Sequence, residues 1–265
     1  MTKIAANFAA EFSTALANTD APTNVAEDSV KENLTRFRQA LKSVSNQNDQ
    51  QNQRSKLPAK ASAWLEDALS RLSGEGALSR AVVAAAESAN WYQIYNENTP
   101  SESKESKESN PMKDLAPGMF AARLIGPSRG LIQSNQLLAG LFLLRPGLHY
   151  PLHQHEATEI YFCASGTAYI QHGIDGESKR LSPGQVSLTP SNRLHALTMG
   201  DEPVLLLWTW LGEFGGQNWW WHQQRDGSWR RDAWERSKDA SWVQTASEPI
   251  PQAEITALQS NDKPL

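Results

Sequence analysis

Three histidines and a glutamate form the part of the sequence best suited to metal chemistry. His153, His155 and Glu159 lie within one short stretch, and His195 follows after one further hairpin. Imidazole and carboxylate groups together suit a divalent ion of Zn, Fe, Mn, Co or Ni, and a catalytic site leaves a coordination position open for substrate or water. These ligand types do not choose among the five metals.

A tyrosine continues the same spacing. Side chains in a β-strand alternate between its two faces, so His153, His155, Glu159 and Tyr161, all at odd positions, can project to one side. The alternative is that the histidines are polar residues without a metal and that Tyr161 is only a strand aromatic. Buried imidazoles and a carboxylate need partners, and a metal supplies them, so we predict a metal site.

The segments around these residues resemble short β-strands. From Leu115 onward, strand-length apolar runs alternate with Gly, Pro and Asn turns; they are FAARLIG, AGLFLLR, EIYFCA, TAYIQHG, GQVSLTP and VLLLWTWL. This spacing is typical of a sandwich or barrel. The block occurs once, so we predict a mainly β chain with a single barrel.

The first third of the chain reads as helical. Apolar residues recur at steps of three and four between Val30 and Val44 and between Trp64 and Leu72, and ALSRAVVAAAESANWYQIY forms a third helical segment. We predict a helical N-terminal region over residues 1–112 with a polar linker near 96–112, a barrel over 113–240 and a C-terminal tail over 241–265. The helical region could cap the barrel or mediate association into a homodimer.

The composition limits the classes of molecule that the protein is expected to bind. The net charge is −4 and the basic residues are scattered, which argues against nucleic acid. No run has the length and apolar character of a signal peptide or a membrane span, so we expect no membrane partner. Cys163 is the only cysteine, which fits a reducing compartment, and we predict a cytoplasmic protein with a small-molecule ligand.

The spacing of the histidine segment resembles the cupin family. Its first motif is matched at every position, by Gly147, His153, His155, Glu159 and Gly166. The second motif is matched at Gly184, Pro190 and His195, whereas Asn192 replaces a glycine and Met199 replaces an asparagine. The resemblance implies a double-stranded β-helix, similar to a jelly roll, and the two departures affect turn and edge positions.

Within the cupins, the chain resembles the dimethylsulfoniopropionate (DMSP) lyases over roughly residues 117–222. The resemblance rests on the run from Tyr150 to Tyr161, on His195 and on the pair Trp208 and Trp210. It implies that His155, Glu159 and His195 are the main metal ligands. His153 would either ligate the metal as well or contact the ligands without touching the metal. Tyr150 would line the substrate pocket.

The implied reaction is β-elimination of DMSP to acrylate and dimethyl sulfide. We predict Tyr161 as the general base, with Tyr150 as its rival, because a nearby divalent cation favours a phenolate. Aromatic faces attract a sulfonium, so Trp210 and Trp208 are candidates for the substrate wall. The alternatives are a cupin dioxygenase, a lyase-like cupin acting on another small acid, and a non-catalytic cupin that binds a small ligand.

Overall fold

The computed structural model describes residues 3–19, 27–50, 55, 57–95, 111–237 and 242–261. Its helices are α1 (Ile4–Ala17), α2 (Glu27–Val44), α3 (Ala59–Ser70), α4 (Ala77–Ser88), α5 (Pro111–Leu115) and α6 (Gln252–Asn261), with a 3₁₀ turn at Ala116–Gly118. Its strands are β1 (Trp91–Gln93), β2 (Met119–Gly126), β3 (Ile132–Gln133), β4 (Leu137–Leu144), β5 (His149–Gln154), β6 (Thr158–Ser165), β7 (Ala168–His172), β8 (Lys179–Leu181), β9 (Val186–Thr189), β10 (His195–Met199), β11 (Val204–Leu211), β12 (Asn218–Gln223), β13 (Trp229–Arg236) and β14 (Trp242–Pro249).

Two seven-stranded sheets make up the β part of the described residues. The first has the order β1-β2-β4-β11-β6-β9, with β3 pairing in parallel beside β2. The second has the order β14-β13-β12-β5-β10-β7-β8. The chain crosses between the sheets several times, and the other pairings are antiparallel. The prediction of a mainly β chain with one barrel and preceding helices is confirmed.

The first sheet is buried on both faces. All eight residues of β4 are buried, because one face points into the barrel and the other lies beneath the N-terminal helices. The ring of Phe12 on α1 meets that of Phe162 on β6 at 6.0 Å between centroids. The helical region therefore caps the barrel, which is one of the two roles that the sequence left open.

The outer face of the second sheet is covered at one end by α6. Ile255 of that helix packs in an apolar cluster with Trp221 of β12. Arg231 of β13 forms ion pairs with Glu248 and Glu254, both at 2.6 Å, and so joins β13 to β14 and to α6.

The structure differs from the predicted boundaries at two places. Helix α4 ends at Ser88, and Trp91–Gln93 pairs with β2, since aromatic side chains suit a half-buried strand. Residues assigned to a C-terminal tail form β14, which pairs with β13, and α6. Strand β14 exposes one face to solvent, so its sequence looked polar. Most of the predicted linker, 96–110, lies outside the described residues.

No helix in the described part of the chain is both long and apolar enough to cross a membrane.

Candidate metal centre

The second sheet supplies two of the candidate ligands from neighbouring strands. His153 on β5 and His195 on β10 are direct cross-strand partners, and their ring centroids lie 4.0 Å apart. The register between these strands shifts just after His195. Irregularities of this kind re-aim side chains beside active sites, and here one lies next to two imidazoles.

The first sheet supplies the carboxylate and most of the aromatic groups. Glu159 and Tyr161 lie on β6, where they are the register partners of Trp210 and Trp208 on β11. His155 lies in the corner between β5 and β6. The alternation predicted that the four odd-numbered residues project from one strand face. In the structure they do not share one strand. They converge because two strands of facing sheets meet across the barrel interior.

The three histidines can bind a metal. The candidate ligand nitrogens of His153, His155 and His195 all lie within 4.8 Å of one another. In each ring Nδ1 lies within hydrogen-bond distance of a backbone carbonyl: Pro151 at 2.7 Å, Ala157 at 2.9 Å and Arg193 at 2.9 Å. A carbonyl only accepts, so Nδ1 carries the proton and the lone pair of Nε2 is free to ligate.

Glu159 completes a set of converging acceptors. Its Oε2 lies 3.2 Å from Nε2 of His155 and 3.4 Å from Nε2 of His195. With both imidazoles protonated at Nδ1, these facing atoms share no proton. Nε2 of His195 is buried without a hydrogen-bond partner in the described residues. A divalent cation satisfies all of these lone pairs at once, so the donor set fits a metal.

The protonation states also suit a metal. Burial, together with the neighbouring imidazoles, holds the pKa of His153 well below its usual value, and burial lowers the pKa of His195. Burial alone would raise the pKa of Glu159, but protonated His155 or His195, sharing a proton with the carboxylate in the metal-free site, outweighs burial and lowers that pKa. Neutral imidazoles beside a charged carboxylate are the forms that ligate metals.

Two tyrosines border the ligands. The ring of Tyr150 lies on that of His153, at 3.9 Å between centroids and 17° between planes, and Tyr161 stacks on Phe142. Burial raises the pKa of both phenols well above the usual value. The hydroxyl of Tyr150 lies 2.6 Å from that of Tyr95.

The two tryptophans differ in their contacts. The indole N–H of Trp210 donates to Oε1 of Glu159, and its ring lies 4.4 Å from that of His155. The indole N–H of Trp208 donates to the backbone carbonyl of Leu141 at 3.2 Å. Trp210 therefore contacts two candidate ligands, a relationship that the sequence did not indicate.

A cavity of about 290 Å³ opens beside this cluster. Most of the predicted site residues line it: Tyr150, His153, His155, Glu159, Tyr161, Trp208 and Trp210. Sequence reasoning missed other residues in its wall, among them Tyr92, Tyr95, Arg123, Phe214, Arg236 and Trp242. They come from segments outside the matched motifs, so the motif spacing could not identify them.

The remaining histidines have other contacts. Nδ1 of His149 lies 2.9 Å from the hydroxyl of Thr198, and Nε2 of His172 lies 3.0 Å from that of Thr189. His222 lies 3.7 Å from Asp232. In the described part of the chain, none of the three joins the metal-binding group.

Comparison with known proteins points to one family. The model of the DMSP lyase family matches residues 30–206. The DMSP lyase DddQ of Ruegeria pomeroyi is 38% identical over 95 residues, which are 36% of this chain and 46% of that protein. The chain thus spans about half the length of the curated relative that it matches.

Two crystal structures share the fold. That of DMSP lyase DddQ from Ruegeria pomeroyi aligns with a TM-score of 0.51 and 26% identity over 73% of this chain and 96% of its own. One from the work on the DMSP lyases RdDddP and RnDddQII aligns at 0.53 with 25% identity, covering 71% and 89%. Since the family model spans most of the chain, the protein belongs to the DMSP lyase family and has that family's single cupin barrel.

Proposed function

We propose that the protein is a metal-dependent DMSP lyase that cleaves dimethylsulfoniopropionate to acrylate and dimethyl sulfide. The observation that supports this most directly is the convergence of three imidazole nitrogens and the Glu159 carboxylate beside a cavity that Tyr161 also lines. Family membership supports the substrate, and the residues support a chemistry of proton abstraction beside a bound carboxylate.

His155, Glu159 and His195 would hold the metal, with His153 as a fourth ligand. When bound, a divalent ion supplies a Lewis acid that offsets the charge of the substrate carboxylate, which otherwise opposes carbanion character at the neighbouring carbon. This mixed set of nitrogen and oxygen ligands suits each of Zn, Fe, Mn, Co and Ni, so the metal has to be identified by experiment.

Tyr161 would act as the general base. Its oxygen takes the proton from the carbon α to the carboxylate, the electron pair forms the double bond, and the sulfonium leaves from the β carbon as dimethyl sulfide. Burial and the charge of Glu159 raise the pKa of Tyr161, so the phenolate depends on positive charge in the centre. Tyr150 is the weaker candidate, because its hydroxyl is already paired with that of Tyr95.

The sulfonium end of the substrate would meet the tryptophans. Trp208 and Trp210 both line the cavity, and their rings meet edge to face at 5.9 Å. A soft cation is attracted to such faces. Trp210 also contacts His155 and Glu159, so a cation on its ring would lie close to the ligands.

Headspace detection of dimethyl sulfide tests this function. Purified protein is reconstituted separately with Zn, Mn, Fe, Co and Ni and given DMSP with and without oxygen. We expect release with at least one metal and none after chelation. No release with any of them would reject the lyase assignment, and a requirement for oxygen would favour a dioxygenase. The homodimer stays a prediction that light scattering can check. The cytoplasmic location stays a prediction that cell fractionation can check.

A further inference from the structure

We infer that Tyr95 is a positioning residue whose hydroxyl donates to the Tyr150 oxygen and so directs the Tyr150 proton into the cavity, toward the substrate carboxylate. The inference rests on the proposed function for the identity of that substrate. It adds a residue from outside the histidine motifs, located between the helical region and the barrel.

The contact between the two phenols is short and enclosed. Their oxygens lie 2.6 Å apart, and Tyr95 and Tyr150 are only 2% and 8% exposed. In the described residues neither hydroxyl has a further hydrogen-bond partner. One hydrogen bond uses one of the two protons, so the other proton needs an acceptor. Both residues line the cavity, which is where such an acceptor can bind.

The position of Tyr150 decides which proton faces the metal centre. Its ring stacks on that of His153, a candidate ligand, whereas the ring contacts of Tyr95 in the described residues are with Tyr150, Trp220 and Trp242. If Tyr95 donates, Tyr150 becomes the terminal donor beside the ligands. A carboxylate accepting from it would complete a chain of two hydrogen bonds that strengthen one another.

Tyr95 is held by residues of β12, β13 and β14, which are neighbours in the second sheet. The carbonyl of Ile94 accepts from the indole N–H of Trp242 at 2.9 Å and from Arg236 at 2.7 Å. The Tyr95 ring meets Trp220 edge to face at 5.3 Å and lies 5.4 Å from Trp242. These contacts fix the ring, so its hydroxyl needs no reorganisation to orient Tyr150.

Calorimetric binding of propionate to the metal-loaded protein tests the inference without turnover. Propionate carries the substrate's carboxylate but cannot be cleaved. We expect Tyr95→Phe and Tyr150→Phe each to weaken binding about tenfold, as for loss of a hydrogen bond to a charged group. The double variant should bind no more weakly than Tyr150→Phe, because Tyr95 acts through Tyr150. Tyr169→Phe, at an exposed tyrosine of β7, is the control and should bind as the wild type does.

Two results would overturn the inference. One is wild-type binding of propionate by Tyr95→Phe, and the other is a loss in the double variant equal to the product of the two single losses. Trp242→Phe, which removes the indole donor to Ile94, is a second variant if Tyr95→Phe is unstable, and it should also weaken binding. Failure to release dimethyl sulfide alongside the expected propionate pattern would count against the proposed function only.

Discussion

The indole N–H of Trp210 donates to Oε1 of Glu159, its register partner on the neighbouring strand. The other carboxylate oxygen faces the imidazoles of His155 and His195. The carboxylate is thus held at one oxygen while the other is presented to the proposed metal. A group that orients a ligand in this way affects metal affinity without touching the metal.

Trp210→Phe should weaken metal binding about 10- to 100-fold, because the carboxylate loses the donor that orients it. A competition titration against a chromophoric chelator measures the affinity. Trp208→Phe is the matched control, since the Trp208 N–H donates to a backbone carbonyl, and its affinity should be unchanged. Equal affinities for both variants would contradict the orienting role.

His195→Ala should abolish stoichiometric metal binding. The residue is fully buried, and its Nε2 faces the Glu159 carboxylate, so no water-exposed group can replace it. Elemental analysis of the purified protein measures occupancy. His149→Ala removes an exposed imidazole from the strand that carries His153 and should retain the metal. Retention by both variants would show that the metal binds elsewhere.

Tyr161→Phe should lower kcat about 10²- to 10⁴-fold with its metal content unchanged, as for removal of a general base. Tyr150→Phe should instead act mainly on KM, because its hydroxyl is paired with Tyr95 beside the ligands. Steady-state release of dimethyl sulfide separates the two effects. Wild-type kcat in metal-loaded Tyr161→Phe would assign the base elsewhere.

Acid should destabilise the fold partly through His172. Burial, followed by nearby positive charges, lowers the pKa of His172 to about 3, while an unfolded histidine titrates near 6.5. Between these values the unfolded chain binds a proton that the folded chain excludes, so stability falls as pH drops below about 6.5. From pH 7 to 5 the loss is about 2 kcal/mol.

Urea unfolding of the wild type and of His172→Gln at both pH values measures this difference. The variant retains an amide that can bond to Thr189, but it has no group that titrates in this range. Its stability should fall by about 2 kcal/mol less than that of the wild type. Parallel pH dependence in the two proteins would show that His172 does not carry the effect.

Arg231→Lys should lower the free energy of unfolding by about 1 kcal/mol, because lysine lacks the planar fork that reaches two carboxylates. The Arg231 guanidinium also lies 5.0 Å above the Trp219 ring. Chemical denaturation measures the loss. Arg71→Lys, in a more exposed pair of ion pairs, should lose less. A larger loss at Arg71 would contradict this account.

The motif spacing was enough to predict the barrel and the candidate ligands that converge in it, because spacing within two or three adjacent strands is a local property. Glu159 and His153 were identified in this way, although on the wrong assumption of one shared strand face. Tyr95 and Trp242 could not be predicted. Each lies far in sequence from the residues that it contacts. Strand β14 also buries only one face, so its sequence contains no hydrophobic run that would predict a strand there.

The bond between Trp242 and the Ile94 carbonyl also bears on how the chain folds. It joins residues 148 positions apart, with nearly the whole barrel between them. Contacts of such long sequence separation form late, because a large loop must close before they contribute. The ligand strands β5, β6 and β10 lie closer together in sequence and can assemble earlier. During refolding, the metal centre should therefore take shape before the wall that carries Tyr95, so metal uptake should precede recovery of carboxylate binding.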